Sequence, residues 1–157
     1  MSNIIRDTVI YNGISDYIPD DINSFTQMSM NEILIIDQEL PDVDEILKVS
    51  LYPNIKDSKL VKTGIGLSLE GQKLTGYKYL SEGEFLIRLD YCSDDCNGGI
   101  FSFKDYIYFN NATTLPENTY ENSKITDSIY IEDIYAKKLS TREILINISF
   151  IFAAELY

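Results

Sequence analysis

SIYIEDIYAKKL (residues 128–139) and REILINISFIFAAEL (residues 142–156) decide how this chain is to be read. In the second run Ile144, Ile146, Ile148 and Phe150 fall on one face of an extended chain, with Leu145, Asn147, Ser149 and Ile151 on the other. A period of two is that of a strand, and two β-branched runs flanking Ser140 and Thr141 make the strongest hairpin in the sequence.

Working outward, EFLIRLDYC (84–92) sets Phe85, Ile87, Leu89 and Tyr91 against Glu84, Leu86, Arg88 and Asp90. GGIFSFKDYIYF (98–109) resumes the pattern, with Phe101, Phe103 and Asp105 opposite Ser102, Lys104 and Tyr106. The acidic loop between them joins two strands as a hairpin. LKVSLYPNI (47–55) places Leu47, Val49, Leu51 and Pro53 on one face, and KLTGYKYL (73–80) alternates polar with apolar positions, so both suit half-buried strands. GIGLSLEG (64–71) is glycine-rich but has no GK[ST] and no strand-to-helix context, so it reads as a flexible hairpin connection rather than a phosphate cradle.

The expected fold is mainly β: an antiparallel β-sandwich-like single domain over residues 30–157. One short helix is predicted at PDVDEIL (41–47), where Pro41 suits a first turn and Asp42, Asp44 and Glu45 suit the positive end of about two turns. Residues 1–29 read as an N-terminal arm, with an apolar run at Val9, Ile10 and Tyr11, a turn at Asn12-Gly13 and the loop-like YIPDDINSF (17–25). Residues 110–127 are polar and turn-rich, which predicts a long surface loop.

Composition narrows the chemistry. A chain of 157 residues suits one domain, and no apolar run is long enough to predict a membrane span. The N-terminal residues do not resemble a secretory leader, so the expected site of synthesis is a cytosol. Thirteen basic against 25 acidic residues, net −12, argue against nucleic acid and anionic membrane as partners. With no histidine, Ser-His-Asp and Cys-His systems and imidazole-based metal sites are excluded. A carboxylate pair remains available for hydrolysis, but 25 acidic residues always supply some pair. No cofactor is expected.

The only two cysteines lie in YCSDDCNGG (91–99). Zinc normally takes four N or S ligands, which leaves Cys92 and Cys96 short unless two chains share a site. Redox catalysis favours two spacer residues and a lowered thiol pKa, whereas Asp90, Asp94 and Asp95 disfavour the thiolate. Calcium finds oxygen ligands here, but not at EF-hand spacing. Two readings remain open: an acidic turn with reduced or locally paired cysteines, and a candidate crosslink between subunits through Cys92 and Cys96.

Three segments carry a family resemblance: NEILIIDQELPDVDEILKV (31–49), EGQKLTGYKYLSEGEF (70–85) and YIEDIYAKKLSTREILINISF (130–150). Together they resemble the SPOCS domain of clostridial spore coat and spore-assembly proteins, most specifically at Glu32, Leu34, Ile36, Pro41, Asp42, Glu45, Ile46 and Leu47. The resemblance implies a β-rich module made in the mother-cell cytoplasm and built into the spore surface or coat, without established enzymatic activity. Self and other spore coat proteins are the implied partners. The chain departs from the pattern at Asp37 and Leu40, and CNGGIFSFKDYIYF has neither the histidine nor the Pro-Phe of that family, which puts a shared partner surface in doubt. The LysM glycan-binding segment of many relatives is also missing.

Twelve tyrosines mostly read as sheet packing, with Tyr77, Tyr79, Tyr106, Tyr108, Tyr130 and Tyr135 as candidates for an interface. The tail SFIFAAELY predicts a last strand with an uncovered edge. Paired with the VIY of the arm, it suggests strand addition between subunits at Val9, Ile10, Tyr11, Ile151 and Phe152. The expected role is a non-enzymatic structural subunit that self-associates through strand edges and aromatic contacts; the alternative is a monomeric binding module for a spore adaptor protein or glycan.

Overall fold

The computed structural model describes residues 2–157 and builds them from eight strands, with no helix among the described residues. These are β1 (Ser2–Arg6), β2 (Val9–Ile14), β3 (Phe25–Ile35), β4 (Glu45–Leu67), β5 (Lys73–Cys92), β6 (Ile100–Thr114), β7 (Ile125–Lys138) and β8 (Glu143–Leu156). A five-stranded sheet in the order β1-β2-β4-β5-β6 faces a three-stranded sheet in the order β3-β8-β7. All strand pairs are antiparallel except β2 with β4.

The alternating faces become the core. Phe85, Ile87, Leu89 and Tyr91 are fully buried on one sheet, and Ile144, Ile146, Ile148 and Phe150 meet them from the other. Phe85, Phe109 and Phe150 form an aromatic triad with centroids 4.9–5.5 Å apart, two of the contacts edge-on, the arrangement that aromatic quadrupoles favour. Gly83 pairs with Phe109 across the ladder, and a Cβ there would lie 2.6 Å from the Phe109 ring and 2.3 Å from the Asn54 carbonyl oxygen. A smaller cluster of Leu115, Phe152 and Ala154 forms a second core, with Ile55 and Leu60 of β4 and Ile125 and Ile129 of β7 packed against it.

No helix forms at 41–47. Residues 41–44 are irregular and Glu45 already opens β4, because the Val43 amide bonds to the Thr141 carbonyl and the Asp44 amide to the Cys92 carbonyl. Those bonds, with Val43 and Ile46 buried, outweigh a local preference worth only about two turns.

The segment expected to be an arm is part of the sandwich, apart from Met1, which lies outside the described residues. β1 and β2 form a hairpin whose turn is Asp7-Thr8, at φ 50° and 67°, rather than Asn12-Gly13. Gly13 instead sits inside β2 at φ +118°, where a Cβ would lie 2.4 Å from the Leu51 carbonyl oxygen. Tyr11 and Ile14 are buried, Arg6 bonds Asp133 at 2.6 Å, and the Ser15 amide donates to the Ile131 carbonyl, so the hairpin seals one side of the sandwich against β7. Residues 25–29, the end of the expected arm, already belong to β3.

Two further expectations are revised. The polar stretch 110–127 is a loop only between β6 and β7, residues 115–124, and Leu115 and Thr119 are buried within it. The C-terminal strand is no edge: β8 is the middle of its sheet, paired with β3 along Phe25–Ile35 and with β7 along the other side, with Phe152, Ala153 and Ala154 buried.

Candidate functional site

The cysteine loop caps the β5–β6 hairpin. Asp94, Asp95 and Cys96 all adopt positive φ, 54°, 52° and 65°, a left-handed run that costs side chains energy and that aspartate tolerates better than most. Backbone bonds from Asn97 to Asp94 and from Gly98 to Ser93 tighten the turn, and Cys92 and Cys96 close it as a disulfide with Cα atoms 4.8 Å apart.

Cys92 is buried at the end of its strand and its sulfur is bonded within the chain, the arrangement of the locally paired reading. Glu45 completes a group with the two sulfurs in which the ligand atoms lie within 4.8 Å of one another, and Cys96 Sγ is 3.7 Å from Glu45 Oε2. With both sulfurs in the disulfide neither is a thiolate, so in this state the trio lacks the donors zinc requires. Glu45 was not foreseen as a neighbour; it arrives because it pairs with Cys92 in the β4–β5 ladder.

The five residues expected at an assembly surface do not share one. Tyr11 and Phe152 are core, 1% and 0% exposed, while Val9 and Ile151 are half-buried and Ile10 is exposed. The Tyr11 hydroxyl donates to the Ala136 carbonyl at 3.4 Å and accepts the Ala136 amide at 3.1 Å, and burial pushes its pKa up. Tyr79 stacks on Phe152 and donates to Asp127, so it too is structural.

The free surface lies elsewhere. β6 is the outer strand of its sheet and pairs with β5 over fifteen residues without a register shift, so its second edge carries unpaired backbone groups. Near its middle Tyr106 and Tyr108 stand exposed on the outer face. The register continues that face as a row, Tyr52 opposite Leu86 opposite Tyr106, beside a Lys56–Glu84 ion pair at 2.8 Å. Where β6 ends, Thr26 of β3 reaches it through bonds to Ala112 and Thr113, which covers that stretch of the edge. By contrast, the outer edge of β4 beyond its short pairing with β2 carries Pro53, a register shift at Ile55/Asp57, and Lys56, Lys59 and Lys62, all features that discourage edge pairing.

An open cleft of about 470 Å³ runs along Asp57, Ser58, Ser81, Glu82, Asn110 and Asn111. It is lined by mixed polar groups and brings together no nucleophile with a base. No family model, curated protein or solved structure matches the chain.

Proposed function

We propose that this chain is a non-enzymatic structural subunit that associates with its own copies, and that the assembly belongs to a spore coat layer or surface fibre. The self-association reading is carried by the outer edge of β6, a long strand in unbroken register with β5 whose other edge is open ahead of Ala112, flanked by exposed Tyr106 and Tyr108. Such an edge is a template for strand addition, and tyrosine beside it supplies apolar contact area with a polar tip. The spore context rests on the three resembling segments alone. On this reading synthesis is in the mother-cell cytoplasm and other coat proteins are further partners.

Asp105 tempers the edge. It lies on the core-facing side of β6 between buried Phe103 and Ile107, and an inward charge on an edge strand opposes indiscriminate pairing. Size-exclusion chromatography and negative-stain microscopy over a concentration series test the proposal. Tyr106→Lys/Tyr108→Lys, changes at exposed positions, should weaken association, and Asp105→Asn should strengthen it. A wild-type monomer at every concentration would overturn the reading and favour the second one, a binding module that uses the Tyr52–Leu86–Tyr106 row on a glycan or adaptor.

A further inference from the structure

The β4–β5 hairpin gives the molecule a direction. Its ladder runs from Glu45 opposite Cys92 at one end to Leu67 opposite Lys73 at the other, about 70 Å at the usual rise per strand residue. β6 pairs with it only to Lys78, and the rest of the hairpin forms a finger. Past that point the Leu115 amide donates to the Tyr77 carbonyl, the Thr75 hydroxyl to the Leu115 carbonyl and the Gln72 side-chain amide to the Thr114 hydroxyl, so the finger is flanked on its β5 side and open along β4 and at its Ser68–Gln72 turn.

The finger differs from the body in both charge and polarity. Residues 61–78 hold three lysines, Lys62, Lys73 and Lys78, against one carboxylate, Glu70, with Lys56 and Lys59 just ahead of them on β4, in a chain of net −12. Lys56 and Lys73 pair with Glu84 and Glu117; among the described residues Lys59, Lys62 and Lys78 have no carboxylate at ion-pair distance. Ile65 and Leu67 are 85% and 75% exposed and Leu69 fully so, with no core cluster touching them. Three large aliphatic side chains on a projecting tip are more than scattered surface apolarity.

The opposite end of the ladder is its complement. Residues 37–45 and 90–95 supply eight carboxylates, against three cations beside them: Arg142 pairs with Asp42 and Arg88 with Asp90, each at 3.0 Å, and Lys138 donates to the Asp44 carbonyl. Asp42, Asp44, Asp94 and Asp95 rim a hollow of about 220 Å³ floored by Val43 and Thr141. Ile35 and Ile100 stand beside this end, 68% and 71% exposed, because they pair with Glu143 and Cys92 at the ends of their strands.

We infer that the basic, aliphatic finger of one copy docks on the acidic end of the next, a head-to-tail contact that builds an open filament. The inference deepens the proposed self-association and rests on it. The two surfaces are different patches of one molecule, so the contact is heterologous and does not close on itself unless its rotation forms a ring. Opposite charge steers the ends together and rejects finger-to-finger or end-to-end pairing, while the aliphatic groups supply the burial.

Two variants separate donor from acceptor: Ile65→Ser/Leu67→Ser/Lys62→Glu removes the finger's chemistry, and Asp44→Lys/Glu45→Lys/Ile100→Ser that of the end. Circular dichroism and thermal melting confirm that each is folded before use. Immobilised finger variant is then offered untagged wild type, end variant or finger variant at low salt, and the captured mass is compared. The expected result is capture of the end variant about ten-fold above capture of the finger variant, since only the former brings an intact finger to an intact end. Equal capture of the two would overturn the head-to-tail contact while leaving self-association standing. Failure of immobilised wild type to capture wild type would overturn both.

Discussion

Tyr11 joins the two sheets through one hydroxyl, which serves both backbone groups of Ala136 in a site nearly closed to water. Tyr11→Phe leaves a buried amide and carbonyl without partners, and the expected cost is about 1–3 kcal/mol in denaturant unfolding. The same burial raises the phenol's pKa, as it does for Tyr79 and Tyr91. A folded-state pKa above the ordinary 10.0 means this stability is fully present below that pH and is lost as pH climbs through the raised values. Unfolding midpoints in an alkaline series should therefore fall above about pH 10, less steeply for Tyr11→Phe; an equally steep fall in the variant contradicts this account of Tyr11. The cysteine pair permits a second test at this scale. A bond closing a five-residue loop stabilises by about 2 kcal/mol in the chain-entropy account, so reductant should lower the melting temperature. Non-reducing gel electrophoresis of the assembled protein should show the monomer alone, because the bond lies within one chain; disulfide-linked oligomers would restore the crosslink between subunits.

At the scale of elements, the strand faces were readable because a buried face imposes a period of two on its residues. Phe85 to Tyr91 and Ile144 to Phe150 show that period without interruption, and both are core. What failed to show was anything set by a partner distant in sequence. Asp42 to Leu47 favours a helix locally, yet Thr141 and Cys92 take its amides. Asn12-Gly13 has the composition of a turn, yet Gly13 is demanded by the close approach of Leu51. The status of a strand as edge or centre was equally hidden: the sticky tail became the middle of a sheet, and the run of β6, of which only Tyr106 and Tyr108 stood out in the sequence, became an edge. Ladder register also fixes where a small residue is required. Gly83→Ala forces a methyl into the Asn54 carbonyl and the Phe109 ring, and Phe109 is one side of the aromatic triad. The expected loss is about 1–3 kcal/mol, read by urea midpoint with an unchanged slope; a neutral result would mean that Phe109 does not need that space.

For the whole molecule, net charge and charge arrangement pull in opposite directions. A chain of net −12 repels its copies when they approach side by side, as pairing along β6 requires, whereas a lysine-rich finger meeting a carboxylate-rich end attracts. Salt weakens both effects, since the screening length shrinks from about 30 Å at 0.01 M to about 3 Å at 1 M. Added salt should therefore shorten head-to-tail filaments while favouring lateral bundling through the β6 edges. Filament length and width by microscopy, followed from about 0.02 M to about 0.5 M salt, would show the two trends crossing. Tyr106→Lys/Tyr108→Lys should suppress the widening and leave the shortening, because those residues flank only the lateral edge. Filaments that lengthen with salt would mean that the aliphatic groups of the finger outweigh its lysines, leaving charge no part in the contact's direction.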